Sequence, residues 1–288
     1  MSTSAAPTPA PTPAPEAAGE ADPIDALLAE GRSRSRAGAF TASLTFGMRA
    51  MLKIKHDPKQ LVDSAAIPIL FTVLFTYLFG SALSGSTSEY LKSLLPGVLT
   101  MSIAIVTMYG GARLAQDVGS GAFDRFRSLP LWQGAFVLGG LLSDAARYVF
   151  ASAIVVVLGL VMGYRPDGGA LGVLAAVALV VAFGLAVSLL WSALALVIHD
   201  PAVVISIANA VLIPLSFASN IFVQPSTMPG WLQAFVDVNP LSHVASAARH
   251  LMNDTGGGGG AITWSLVATL AIALVCGPLT LRLYSKQG

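Results

Sequence analysis

Two opposite charges lie within a long apolar segment of the chain. Asp144 and Arg147 are three residues apart, and on an α-helix this spacing places them on one face, where they can form an ion pair. Charge inside a membrane span is costly and marks a candidate functional site. The alternative is a structural pair that anchors the helix near the interface, because the uncharged run Tyr148 to Tyr164 is nearly long enough to cross a bilayer.

A later apolar segment carries a polar stripe. Its members, spaced by three, seven and four residues, are Ser206, Asn209, Ser216 and Asn220. Such spacing predicts one helix face turned away from lipid. Two interpretations stay open: a substrate path with a few polar groups in an apolar wall, or hydrogen bonding between packed helices.

The stretch GAFDRFRSLPLWQGA (residues 121–135) separates two apolar segments. Phe123 and Phe126 form one stripe, and Pro130 limits the predicted helix to about two turns. The intervening charged residues are Asp124, Arg125 and Arg127. Because so short a helix is unstable alone, and Arg and aromatic residues carry interface energy, we expect it to contact another protein or the bilayer surface. A plain loop resting on lipid headgroups is the alternative.

Motifs for nucleotide, metal or covalent chemistry are missing from the sequence. There is no G-x-x-x-x-G-K-[ST] phosphate loop and no H-E-x-x-H pair. His243 and His250 are seven residues apart, so two helical turns separate them. No apolar segment holds a Ser/His/Asp set or paired carboxylates. We therefore predict no catalytic residue, metal or cofactor in this chain.

The elements that position these residues follow from composition. Of 288 residues, 55% are hydrophobic and 11% charged, against about a quarter charged in ordinary globular domains. Six segments reach the roughly 20 apolar residues that cross a bilayer: 65–83, 94–115, 138–164, 170–198, 202–222 and 261–283. The sequence predicts an all-α integral membrane protein with six transmembrane helices. The net charge of +1 gives no reason to expect nucleic acid as a partner.

Basic residues are unequally distributed between the two predicted sides. One side carries Arg32, Arg34, Arg36, Arg49, Lys53, Lys55, Lys59, Arg113, Arg125, Arg127, Arg282 and Lys286; the other carries Lys92, Arg165 and Arg249. The positive-inside rule then places both termini in the cytoplasm, as an even number of spans requires. We expect a multi-pass protein of the cell (cytoplasmic) membrane.

Both ends of the predicted bundle carry further elements. Residues 1–38 are rich in Ala and Pro and are expected to form a disordered cytoplasmic tail. Residues 40–63 are predicted to form an interfacial amphipathic helix. Its basic residues, Arg49, Lys53 and Lys55, are expected to face lipid headgroups. Between spans five and six, Pro225, Pro229 and Pro240 divide two short re-entrant helices, and Asn239-Pro240 is typical of a helix start.

Three stretches together show a resemblance to a known family. They are GAFDRFRSLPLWQGAFVLGGLLSDAARY, the run PLSFASNIFVQPSTMPGWLQAFVDVNPLSHVASAARHLM, and the amphipathic segment before the first span. The chain resembles the membrane subunits of type-2 ABC exporters, the permeases of the daunorubicin/doxorubicin-resistance kind. The resemblance covers roughly residues 40–288, so we expect residues 39–288 to form one type-2 ABC transmembrane domain.

The resemblance implies a permease without its own ATPase. A separate nucleotide-binding subunit would carry ATP and Mg, and a second permease copy would complete a homodimer around the path of an amphipathic small molecule. The family's coupling helix, which contacts the ATPase, falls on 121–130, its interfacial helix on 40–57 and its re-entrant helices on 228–252. The alternatives are a lipid or glycan exporter of the same fold, or a membrane scaffold or intramembrane enzyme without transport.

Overall fold

The computed structural model describes residues 58–84, 86–120, 134–223, 225–256 and 258–286. Within these ranges the chain forms eight α-helices and no strand. The helices are α1 Pro58–Ser84, α2 Thr87–Gly119, α3 Gly134–Val161, α4 Gly169–Ile198, α5 Pro201–Phe217, α6 Gly230–Val238, α7 Pro240–Asn253 and α8 Gly259–Lys286; a 3₁₀ turn covers Pro225–Thr227. The predicted all-helical class is confirmed for the described residues.

Four helices are long and apolar enough to cross a membrane by length and composition. They are α2, α3 from Gly139, α4, and α8 as far as Tyr284. Two further helices carry shorter apolar stretches, Pro68–Gly80 in α1 and the whole of α5. Each of the six predicted segments therefore falls on a helix, and the chain has the architecture of a multi-pass membrane protein.

Consecutive long helices run in opposite directions, which gives the bundle two distinct ends. Gly80 near the end of α1 lies against Thr87 at the start of α2, and Gly119 at the end of α2 lies against the carbonyl of His199, just after α4. Gly168, just before α4, donates to the carbonyl of Met252 in α7 (3.0 Å). We call the end with Thr87, Gly168 and α7 the α7 end, and the end with Gly119 and His199 the far end.

Helix α2 lies at the centre of the bundle. It is buried along nearly its whole apolar length, whereas α8 is mostly exposed. The α2 side chains that are almost fully buried are Leu91, Leu94, Leu95, Leu99 and Ile103. The apolar side chains that α8 leaves exposed, including Leu270, Leu274 and Val275, are the kind of surface that lipid covers.

Helix α5 ends at Phe217, so the expectation that this span continues to residue 222 is wrong. The carbonyls of Leu215 and Ala218 at this end accept hydrogen bonds from the Nδ2 of Asn239, each at 2.8 Å. A helix can end inside a bundle only where other groups satisfy its last carbonyls. Asn239, supplied by a distant part of the chain, meets that requirement.

Candidate functional site

Two predicted sites lie outside the described residues. They are the basic residues of the interfacial helix, Arg49, Lys53 and Lys55, and the charged aromatic stretch with Phe123, Asp124, Arg125, Phe126, Arg127 and Pro130. Both stay predictions. The structure does describe the two helices that flank the second of them, α2 and α3.

The predicted polar stripe of four residues does not lie on one helix, because the fourth, Asn220, follows the end of α5. Ser206 is exposed and donates to the carbonyl of Ala202 (2.8 Å), Asn209 is half-buried, and Ser216 is buried. Asn220 lies beyond the end of α5 and donates to the Oγ of Ser246 on α7 (2.6 Å). Because α5 stops at Phe217, three polar residues remain on the helix and the fourth belongs to the α7 end.

Asp144 and Arg147 lie together inside the bundle near the far end. Arg147 Nη1 is 3.6 Å from Asp144 Oδ1, and both side chains are almost fully buried. Arg113 of α2 joins them, since its Nη2 donates to the same carboxylate oxygen. Ser188 of α4 donates to Asp144 Oδ2 (3.1 Å). We call Arg113, Asp144, Arg147 and Ser188 the charge cluster; it connects α2, α3 and α4.

Glycines allow this close approach. A Cβ built on Gly110 would lie 2.6 Å from Asp144 Oδ2, and one on Gly111 would lie 2.6 Å from the Cβ of Trp191 on α4. Small residues at helix contacts let backbones approach within membranes. Trp191 Nε1 in turn donates to Thr107 Oγ1 of α2 (2.9 Å). The sequence around Gly110 therefore makes room for a carboxylate that belongs to another helix.

The charge cluster contains more positive than negative charge. Two guanidinium groups share one carboxylate, and the buried Arg147 Nη1 makes no hydrogen bond to the described residues. The hydroxyls of Tyr148 and Ser152, on the same side of α3, are also buried without a hydrogen-bond partner there. A polar face of α3 thus continues from the charge cluster into the bundle. Polar residues within spans usually face the bundle interior in this way, because charge is costly in contact with lipid.

Arg113 was missed at the sequence level as a partner of Asp144. It was counted with the loop charges because it lies near the end of an apolar segment. The sequence did contain one signal. Gly110 and Arg113 are three residues apart, so a glycine, which allows close helix contact, and a cation lie on the same face of α2. Which helix would face them is a tertiary question.

At the α7 end, asparagine side chains satisfy backbone groups that the helices leave open. Asn239 caps α7 through its Oδ1, which accepts from the Leu241 N–H (2.9 Å), as the sequence predicted. Asn253 Nδ2 donates to the Lys92 carbonyl (2.8 Å). That carbonyl lacks its usual partner because Pro96, four residues later in α2, has no N–H.

Arg249 of α7 reaches the same region. Its Nε donates to the carbonyl of Ser93 and its Nη2 to the carbonyl of Asn220, each at 3.0 Å. No carboxylate of the described chain pairs with it. Burial lowers the pKa of Arg249 to about 10, so the guanidinium is still charged at neutral pH.

A cavity of about 400 Å³ opens beside Arg249. Its wall includes Tyr90, Ser93, Asn220 and Phe222 as well as Arg249 itself. Cavities of this size hold small ligands or parts of larger ones. We call it the α7-end cavity.

The chain matches the ABC-2 type transporter family over residues 41–253. It belongs to that family. The matched region ends at Asn253, the last residue of α7, so it contains both the charge cluster and the α7-end cavity. Membership confirms the resemblance seen in the sequence and implies a membrane location and an ATPase partner for this ABC-2 type chain.

Relatives of this ABC-2 type chain extend over most of its length. It is 46% identical to the daunorubicin resistance ABC transporter permease protein DrrB1 of Streptomyces coeruleorubidus, over 92% of this chain and 93% of the relative. It is 24% identical to the probable doxorubicin resistance ABC transporter permease protein DrrC of Mycobacterium tuberculosis, over 75% and 79%. It is 26% identical to the putative transport permease ycf38 of Porphyra purpurea, over 72% of each.

The described part of this ABC-2 type permease contains no cluster of side chains that could bind a metal ion. No three His, Cys, Asp or Glu side chains there come together to hold an ion. His243 stacks on Trp264 with ring centroids 5.8 Å apart, and His250 Nδ1 lies 2.8 Å from the Thr255 hydroxyl. The two histidines thus have separate structural neighbours.

Proposed function

We propose that this chain is the membrane-spanning permease subunit of an ATP-driven exporter that moves an amphipathic drug or natural product out of the cell. The observation that carries the proposal is the 46% identity to the daunorubicin resistance permease, across nearly the whole of both chains. Two further relatives of lower identity are named for doxorubicin resistance. We therefore propose a substrate of the same kind as these drugs, an amphipathic small molecule.

The proposed topology has six spans with both termini in the cytoplasm. Helix α1 is 27 residues long and α5 is 17, so each is close to the roughly 20 residues that a span needs. In this orientation the far end, with the charge cluster, faces the cytoplasm and the α7 end faces outward. The excess of Lys and Arg in segments at the far end supports this orientation.

ATP and Mg would bind to a separate subunit, since this chain has no phosphate loop. The proposed coupling helix, 121–130, joins α2 to α3. Six residues before the end of α2, Arg113 holds Asp144 of α3, which also accepts from Ser188 of α4. Buried ion pairs of this kind keep neighbouring helices in one arrangement, so a displacement of 121–130 would move the ends of α2, α3 and α4 together.

A second copy of the permease would complete the transport path. Symmetric pairs are the commonest assembly of identical chains, and the exposed apolar faces of α5 and α8 leave surface for lipid or for a partner. Ser206, Asn209, Ser216 and Asn220 remain candidate path residues in this proposal, although they are distributed over α5 and the α7 end.

The test is reconstitution with an ATPase. The full-length permease would be co-expressed with the ABC ATPase encoded nearest to it, and the purified pair placed in proteoliposomes. Daunorubicin should raise ATP hydrolysis and move against its gradient only when ATP is present. The control is the same ATPase with its phosphate-loop lysine replaced. Failure of every candidate ATPase to co-purify would refute the transporter-subunit proposal. Stimulation by a lipid or glycan, and not by the drug, would refute the drug-exporter assignment alone.

A further inference from the structure

Arg249 differs from the other two basic residues at the α7 end. Lys92 has a carboxylate partner, with its Nζ 2.6 Å from Asp167 Oδ2, and Arg165 is exposed to solvent. Arg249 is the partly buried cation that lines a cavity without a carboxylate partner among the described residues. A charge taken out of water and left unpaired is costly, so this position needs an anion.

The hydrogen bonds of Arg249 orient its guanidinium but do not neutralise it. Nε and Nη2 each donate to a backbone carbonyl, of Ser93 and Asn220. Nη1 makes no hydrogen bond to the described residues, and Arg249 lines the cavity. A guanidinium held at one edge presents its remaining N–H groups in a rigid fork that suits phosphate oxygens.

A second polar atom at the cavity also lacks a partner. Asn220 uses its Nδ2 to donate to Ser246 (2.6 Å), while its Oδ1 is buried with no hydrogen bond to the described residues. Buried acceptors in this state are rare and call for a donor. The Asn220 carbonyl accepts from Arg249, so the two unsatisfied side chains are neighbours. A ligand that satisfies both carries an anionic oxygen and a hydroxyl or ammonium hydrogen.

The wall of the cavity continues into an aromatic row. Phe222 stacks on Phe75 of α1 with ring centroids 4.5 Å apart, and on Phe217 of α5 at 5.4 Å. Phe75 in turn stacks on Phe79 at 5.4 Å. The neighbouring Leu74 of α1 is exposed. An acyl chain could therefore lie along an apolar surface that begins where the polar part of the cavity ends.

We propose that the α7-end cavity is a phosphate-binding site, in which Arg249 binds the phosphate and Asn220 accepts from a hydroxyl or ammonium group of the same ligand. A phospholipid headgroup such as that of phosphatidylglycerol supplies both groups, and free phosphate supplies the anion alone. This inference does not depend on the proposed function, although Asn220 is also one of the candidate path residues named there.

The test measures lipid retained by the full-length permease, purified with its ATPase where the two form a complex. The probes are phosphatidylglycerol and phosphatidylcholine with identical acyl chains, detected by native mass spectrometry. Arg249→Gln should lower phosphatidylglycerol retention by about tenfold or more, because the variant removes a desolvated charge-assisted contact, and Arg249→Lys should lower it less. The matched control is Lys92→Gln, which removes a cation from the same end and should leave retention unchanged.

Inorganic phosphate separates the two sources of the ligand. Inorganic phosphate is added at about 50 mM, enough to occupy a site with a Kd in the millimolar range. If it displaces the retained lipid, the site recognises the phosphate group itself. If it does not, the lipid as a whole is the ligand. Equal retention by wild type and Arg249→Gln would overturn the proposal. Should Arg249→Gln fail to fold, thermal stability of the wild type decides: phosphatidylglycerol must raise Tm more than phosphatidylcholine does, and equal shifts would overturn it.

Discussion

Arg113 on α2 and Asp144 on α3 form an ion pair inside the helix bundle. In the sequence, Arg113 precedes and Asp144 follows the segment that joins their helices, residues 121–133. Arg147 approaches the same carboxylate at 3.6 Å, so two guanidinium groups share one carboxylate. The pair therefore matters to stability and joins α2 to α3.

Asp144→Asn should strongly destabilise the protein. The substitution keeps the shape of the side chain but leaves Arg113 and Arg147 without a counter-charge, and breaking one side of a buried ion pair costs about 3–5 kcal/mol. Thermal unfolding of the purified permease, followed by tryptophan fluorescence, would measure the loss.

The control is Asp167→Asn, which removes an exposed ion pair with Lys92 (side chains 55% and 40% exposed). Such pairs contribute about 0–1 kcal/mol. Equal Tm losses in both variants would show that the charge cluster is not buried as described.

Gly110→Ala should also lower Tm. The new methyl group would lie 2.6 Å from Asp144 Oδ2, so either the carboxylate moves away from Arg113 or α2 and α3 separate. Overpacking of this kind costs about 1–3 kcal/mol. Gly140→Ala is the matched control, because a Cβ at that position meets nothing within 4 Å and alanine favours the helix by about 0.5–1 kcal/mol. A Gly110→Ala protein as stable as the wild type would contradict the packing of Gly110 on Asp144.

Two variants of Asn239 test its two roles. Asn239→Asp keeps the oxygen that caps α7 but removes the donor to the carbonyls of Leu215 and Ala218. Asn239→Ala removes both. Each unsatisfied buried group costs about 1–3 kcal/mol and loss of an N-cap about 1 kcal/mol, so both variants should have a lower Tm than the wild type; Asn239→Asp also brings a buried carboxylate close to the two carbonyls, which adds to its loss. A variant Asn239→Asp with wild-type stability would show that the end of α5 does not depend on this side chain.

Site-directed labelling can determine the orientation of the bundle. In a Cys276→Ala background, which removes the one cysteine of the chain, Thr255→Cys would place a thiol at the α7 end and Ser120→Cys one at the far end; both positions are exposed. A membrane-impermeant maleimide added to intact cells should label the first variant and not the second. Permeabilised cells serve as the control for reactivity. The reverse pattern would invert the proposed topology.

The coupling assignment of residues 121–130 is tested by charge reversal. Arg125→Glu, Arg127→Glu and Phe126→Ala should each abolish drug-stimulated ATP hydrolysis, because Arg and aromatic residues carry interface energy, while membrane insertion stays normal. The control is Ser128→Ala in the same stretch, which removes neither a charge nor an aromatic ring. Transport that survives all three changes would refute the assignment.

Local pattern was enough to predict the membrane class, the family resemblance and several helix ends. Apolar length predicts spans because a bilayer has a definite thickness. Asn239-Pro240 predicted a helix start because an N-cap depends on atoms a few residues apart, and the structure confirms it. These features are set by neighbouring residues, so the sequence by itself determined them.

Tertiary structure alone decided which distant residues meet. The end of α5 at Phe217 depends on Asn239, more than 20 residues away. The partner of Asp144 that sequence reasoning missed, Arg113, is 31 residues away on another helix. Arg249 meets the carbonyl of Ser93 across 156 residues. Helix periodicity tells which residues share a face, but the packing of helices against each other decides what each face contacts.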